Sequence, residues 1–189
     1  MITRHALAYR TLAFLLIAST CGAGEFPDDY FFGQRPAGLM AIEGKPAPTL
    51  ELDKWIGDET SLEKLRGQVV VIDFWATWCG PCVAGLPTMQ KVTDAFKDRG
   101  VVFYGIDLRE SADKVQSFVD KKKWTFSVLL DKNGDVAKKY NVNGIPHSVV
   151  IGKDGKILNV HVGFGGAEAL EKQLTEELEA ALEAQPATG

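Results

Sequence analysis

Val69-Val70-Val71-Ile72-Asp73-Phe74-Trp75, apolar at every position but one, runs directly into Ala76-Thr77-Trp78-Cys79-Gly80-Pro81-Cys82. That order reads as a buried strand feeding a helix, with two thiols at the turn between them. Two cysteines three apart on a first helical turn lie on one face, within reach of a disulfide. Cys79 leads, facing the free amides and positive dipole end of the helix, which favour its thiolate. A thiolate is the attacking species in disulfide exchange, so the pair supplies a nucleophile and a resolving partner. Cys79 is expected to be exposed and acidic, and Cys82, one turn in, to be shielded by apolar neighbours. Half of a zinc site and a structural disulfide are the alternatives. Zinc needs two further ligands, and the one other cysteine, Cys21, falls in a segment expected to be removed. The strand-then-helix context favours redox chemistry.

The flanking sequence alternates strand and helix. Val83, Leu86, Met89, Val92 and Phe96 recur at helical spacing, and Pro87 predicts a kink. Val101–Ile106 is a second buried strand, and strand–helix–strand order implies parallel pairing through a right-handed crossover. Thr49–Leu52 predicts a short edge strand, and Ser61 is placed to cap a short helix holding Lys64 and Leu65. An amphipathic helix is expected over Ser111–Lys123 through Val115, Phe118 and Val119, and a short one over Val136–Tyr140. Val149–Ile151 and Ile157–Val160 flank Lys153-Asp154-Gly155, a hairpin signal. Leu170, Leu174, Leu178 and Leu182 make one stripe of a last helix, read as core packing rather than a dimer zipper.

The N-terminus reads as a targeting segment. Arg4, His5 and Arg10 lead into Leu12–Ala18, and small residues follow up to Gly24. This is the pattern of a secretory signal over residues 1–23, too short to span a bilayer comfortably. The chain is therefore expected to be exported, extracytoplasmic and periplasmic. Lipid attachment at Cys21 is the alternative, which Ala18 and Thr20 disfavour. Residues 24–44 read as a linker or extended arm, with Phe26, Tyr30, Phe31 and Phe32 expected to pack on the domain. Residues 45–184 form that domain and 185–189 a tail. A net charge of −4 and a pI near 5.4 give no electrostatic reason to expect nucleic-acid binding.

Asp73 interrupts a strand otherwise made of Val, Ile, Phe and Trp, where an ionised carboxylate is expensive. Burial would raise its pKa and suit it to exchange a proton with Cys82. The plainer alternative is an aspartate at the strand end reaching water.

Asp73–Cys82 resembles the active-site segment of thioredoxins. Ser61–Gly67 and Thr125–Asp131 resemble the extracytoplasmic thioredoxin-like proteins of the TlpA/ResA type, and Gly144–Ile151 resembles the cis-proline strand of the same superfamily. The resemblance runs from about Gly44 to about Ala184. It implies an α/β thioredoxin fold, a central mixed β-sheet flanked by helices, and thiol-disulfide oxidoreductase activity through Cys79 and Cys82. It also implies a substrate surface of Trp78, Gly80, Pro81, Ile145 and a cis Pro146. Asp73 matches the buried aspartate of thioredoxins, where many TlpA/ResA-type proteins have asparagine. Glu110, after Asp107-Leu108-Arg109 beyond the second strand, aligns with an acidic residue near the thiols, although a loop glutamate alone reads as a solvated charge. His147 stands where threonine is usual; it would tune a thiolate if it faced the sulfurs, and otherwise faces solvent without a role.

The Gly-Pro pair resembles that of thioredoxins, which sit at the reducing end of the potential range, and this resemblance implies a reductase rather than an oxidase. Such a protein takes electrons from a membrane thiol donor, needs no cofactor or metal, and acts as a monomer on disulfide-containing proteins, apocytochrome c among them. Two other classes stay open. A thiol peroxidase would carry Pro-x-x-x-Thr-x-x-Cys, which the residues before Cys79 do not supply. A copper-binding assembly factor would use both thiols with His147 or His161, and typically spaces its cysteines one residue wider.

Overall fold

Strand β2 forms where the apolar run lies, over Val69–Trp75, and every residue in it is buried. The structure, a computed structural model, describes residues 41–50, 52–56 and 61–184. The signal segment with Cys21, the arm through residue 40 with its aromatic residues, and the tail lie outside the described residues. Around β2 stand β1 (Asp53–Ile56), β3 (Val101–Leu108), β4 (Ser127–Asp131), β5 (His147–Ile151) and β6 (Ile157–Val162). They make one sheet in the order β1-β4-β3-β2-β5-β6. β2, β3 and β4 run parallel, while β1 joins β4, β5 joins β2 and β6 joins β5 antiparallel. The helices are α1 (Gly80–Ala95), α2 (Ala112–Lys122), α3 (Asp135–Lys139) and α4 (Ala167–Glu183). This is the mixed α/β sheet that the sequence implied.

Side-chain alternation sorts the two faces. On one, Val69, Val71 and Trp75 pack with Leu86 and Met89 of α1, Val115 and Val119 of α2, and Leu174 and Leu178 of α4. On the other, Val70, Ile72 and Phe74 pack with Leu62, Leu65, Ile106 and Tyr140. Both cysteines belong to the first layer, so odd-numbered positions of β2 look toward the thiols. The leucine stripe of α4 is core packing: Leu174 and Leu178 are buried, while Leu170 and Leu182 at its ends are partly covered by the same layer. Four-residue steps drift against a 3.6-residue turn, which rotates the ends of the stripe out of the seam.

Three local expectations change, and Pro87 sits inside an unbroken helix. The edge strand is Asp53–Ile56, not Thr49–Leu52, and its register meets Asp53 with Leu130 of β4. Ser61 opens a series of turns rather than a helix, with the Lys64 N–H donating to its carbonyl at 3.0 Å and its hydroxyl at 3.4 Å. α1 continues through Pro87 as one element, with the proline on its exposed side. β3 extends to Leu108, because Asp107 and Leu108 stay paired with β4. Residues 44–46 lie along β6. Gly44 N–H donates to the Ile157 carbonyl at 2.8 Å, Ile157 N–H donates to that of Lys45 at 2.9 Å, and Pro46 bridges to Lys156.

Gly105 lies opposite Asp73 on β3, and a Cβ there would fall 2.7 Å from Phe126 Cε2 and 2.9 Å from Trp75 Nε1. Those rings are held in a stack, with Trp75–Trp124 centroids 5.4 Å apart, Trp124–Phe126 5.4 Å and Phe103–Phe126 4.9 Å. Neither ring can retreat without moving the others. Gly105→Ala is expected to lower stability by about 1–3 kcal/mol through overpacking. The urea midpoint should fall at unchanged slope; a wild-type midpoint would show that the stack adjusts freely.

Candidate active site at the end of the central strand

β2 stops at Trp75, and Cys79 caps α1 with extended backbone angles, φ −81° and ψ 97°. Its carbonyl accepts the first helical bond from Val83 N–H at 3.0 Å, and its Sγ accepts from Cys82 N–H at 3.3 Å. Pro81 occupies the first helical turn, where a missing N–H leaves nothing unsatisfied. The two cysteines are joined as a disulfide with Cα atoms 5.3 Å apart. Cys79 is not exposed as the sequence suggested: it is 5% accessible and Cys82 1%, whereas the neighbouring Trp78 is 68% accessible. In the oxidised state the leading sulfur is turned inward, onto Cys82 and its amide.

Asp73 is buried, on the cysteine side of β2, and burial pushes its carboxyl well above the ordinary carboxylate range. It does not reach water in the way of a strand-end aspartate. Pro146 follows Ile145 through a cis peptide bond. Phe74 pairs with His147, so the next rung sets Pro146 beside Trp75, at the end of β2 where the disulfide turn begins. The Pro146 carbonyl accepts from Gly163 N–H at 2.8 Å.

Glu110 is no solvated loop charge. It is buried, and its carboxylate accepts from the Thr77 backbone N–H at 2.5 Å and the Thr77 hydroxyl at 2.8 Å. Lys114, one turn into α2, meets it at 2.5 Å. Burial pushes the carboxyl up, but Lys114 and Thr77 outweigh that and hold it below the usual value. Glu110 thus fastens the loop two residues ahead of Cys79.

His147 is elsewhere. It is fully buried, shares a rung with Phe74 and meets that ring edge-on at 5.8 Å, on the face of the sheet away from the cysteines. Burial lowers its imidazole to about 4, so it is neutral near pH 7. His161 is held under α4 by Glu177 and Gln173, each at 2.9 Å. The structure therefore gathers Asp73, Cys79, Cys82, Pro146 and Glu110 at one end of β2 and leaves both histidines out.

Two residues of this end escaped the sequence reading. Thr77 sits inside the quoted motif, but nothing in the sequence ties it to Glu110. Asp107 is fully buried and stands opposite Trp75. Its signal was the same as that of Asp73, an acid in an apolar strand, masked by the charged residues that follow it.

Residues 43–160 match the family model described as the AhpC/TSA family. The chain belongs to this family. The thiol-disulfide oxidoreductase ResA of Bacillus thuringiensis subsp. konkukian is 32% identical over 173 residues, covering 90% of this chain and 96% of that protein. The thioredoxin-like protein YneN of Bacillus subtilis is 34% identical over 145 residues, 76% of this chain and 84% of the other. The crystal structure of a candidate thiol:disulfide interchange protein DsbE from Chlorobium tepidum superposes with a TM-score of 0.65 at 32% identity, covering 74% of this chain and 97% of that one. The AhpC/TSA member described here is a thiol-disulfide oxidoreductase with a thioredoxin-like fold, and its partners are molecules that carry disulfides or thiols.

Proposed function

We propose that the protein is an exported reductase of protein disulfides, cycling between a Cys79/Cys82 dithiol and the Cys79–Cys82 disulfide. The observation that carries this reading is the vicinal pair at the start of α1 with Asp73 buried in the same layer. The Cys79 thiolate attacks one sulfur of the substrate disulfide, and the other sulfur leaves and is protonated. Asp73, after releasing its own proton to solvent, takes the proton of Cys82, whose thiolate then attacks Cys79 Sγ. The mixed disulfide breaks, the second substrate thiol departs, and two electrons have passed from enzyme to substrate. Trp78, Gly80 and Pro81, all exposed, together with Ile145 and Pro146, form the surface on which the substrate chain lies. Residues 1–23 export the protein, a membrane thiol donor restores the dithiol, and the enzyme works as a monomer; apocytochrome c thiols fit it as substrate.

The direction of flow follows from the pair's surroundings. The first turn of α1, Gly80–Val83, has no charged residue, and Gly-Pro separates the thiols. The reduction potential is expected below about −220 mV, toward the roughly −270 mV of thioredoxin. Equilibration with glutathione buffers measures it, and a value above about −150 mV would make the protein an oxidant. A thiol peroxidase reading has less support, since Ile72 and Ala76 stand where its pattern has proline and threonine. Stoichiometric loss of hydrogen peroxide on mixing with reduced protein, faster than with a free thiol, would favour it.

A further inference from the structure

Asp107 has an accounting problem. Both of its carboxyl oxygens are buried, and no donor among the described residues makes a full hydrogen bond to either. Its polar neighbours are the carboxyl and the backbone N–H of Glu110. Glu110 is itself an acceptor already engaged by three donors, the Thr77 N–H, the Thr77 hydroxyl and Lys114. Two carboxylates cannot satisfy each other, and a buried acid without a partner is costly. A proton on Asp107, donated to Glu110, resolves both difficulties, because a carboxylate can accept about four hydrogen bonds.

We propose that Asp107 and Glu110 act as a carboxylic acid–carboxylate pair sharing one proton, and that this proton sets how firmly Glu110 holds Thr77 and the turn that carries Cys79. Asp107 is then a positioning residue: it touches neither sulfur nor substrate and works through Glu110 and Thr77. This rests on the thiol-disulfide reading of the site, but it can be tested in the oxidised protein without any substrate.

With the proton present, one negative charge faces one cation, Lys114. Without it, two negative charges share that single ammonium, whose side chain is 56% accessible. Repulsion must then move Glu110, and the bonds to Thr77 are the ones that loosen. Among the described residues Glu110 and Lys114 are the charged groups that act on the Asp107 carboxyl; Asp73 lies on the same face, on β2, and α2 carries Asp113 beside Lys114. On β4 the opposite residue is Leu130, which has no charge. Burial, and then Glu110, push the Asp107 carboxyl up to about 8, so the pair keeps its proton at neutral pH and sheds it in mild alkali.

The test follows the Thr77 and Cys79 amide resonances of 15N-labelled oxidised protein from about pH 6 to about pH 9.5, a range in which a disulfide does not titrate. Both amides should move through one step with a midpoint near 8, and the Asp107 carboxyl carbon should titrate with them. Asp107→Asn, which can still donate to Glu110, should abolish the step and keep Thr77 at its low-pH position. A wild-type protein without the step overturns the proposal, as does an unchanged step in Asp107→Asn. A Thr77 step that leaves Cys79 unmoved overturns the link to the turn. If Asp107→Asn does not fold, the wild-type carboxyl carbon decides: a midpoint in the ordinary range near about 4 overturns the pair. A purely structural Asp107 would lower the stability of the variant without touching the step.

Discussion

Cys82→Ser is expected to capture its substrate and keep it, whereas Cys79→Ser captures almost nothing. The leading cysteine caps α1, and its sulfur already receives an N–H from the first turn, the environment that favours a thiolate. Cys82 lies deeper, at 1% accessibility, where apolar surroundings keep a thiol protonated. With Cys82 gone, attack still occurs but the second displacement cannot, so a mixed disulfide through Cys79 accumulates. With Cys79 gone, the remaining thiol is shielded from a substrate disulfide. Turnover should fall by more than about 10³-fold in both variants, as when one member of a catalytic unit is removed. They differ only in what they trap. Non-reducing gels of the two variants, expressed in full-length form, separate the roles, and equal trapping or trapping by Cys79→Ser alone would reverse them.

Asp73→Asn should separate stability from activity. The folded carboxyl holds its proton far above the ordinary carboxylate range because burial penalises the charge, whereas the unfolded chain releases it near the usual value of about 4. The folded state thus binds more protons between those two values, and stability contributed by the neutral acid is progressively lost as pH rises through that window. An asparagine has no proton to hold against the solvent. At neutral pH the variant is expected to be more stable by more than about 1 kcal/mol, and the gain should shrink toward zero by about pH 4. The same change removes the group that takes the Cys82 proton, so release of reduced substrate should slow by about 10²-fold near neutral pH. Urea unfolding of both oxidised proteins at two pH values checks the first part, and single-turnover release checks the second. A stability difference that does not vary with pH would mean that Asp73 is ionised in the fold, and an unchanged release rate would mean that another base serves Cys82.

The central strand, the parallel β2–β3 crossover, the β5–β6 hairpin and the leucine face of α4 were legible because each is written in residue type and period. What was not legible depends on which rung of the sheet a residue occupies. His147 follows the cis proline immediately, and nothing in its type says whether it faces the sulfurs; pairing with Phe74 puts it on the opposite side. Asp107 looked like the first residue of a loop because charged residues follow it, yet the ladder with Trp75 and Leu130 carries on through it. Glu110 was named without its partner, since Thr77 lies 33 positions away and only the fold brings it within reach. The edge strand was misplaced for a related reason: β1 is set by its register with β4, which no local pattern in Thr49–Leu52 records.

The strap formed by residues 43–47 along β6 bears on how the domain takes a mechanical load. Gly44 and Lys45 bond to Ile157, and Glu43 accepts the Val160 N–H at 3.0 Å. These contacts occupy backbone groups that an open sheet edge would otherwise offer to a second chain. They also lie toward the start of β6, whereas the disulfide turn lies level with its end. A pull arriving from the N-terminal side is therefore met by bonds at the margin of the sheet, two strands removed from β2. The thiol pair is mounted on the interior of the sheet, away from the margin that meets such a force first.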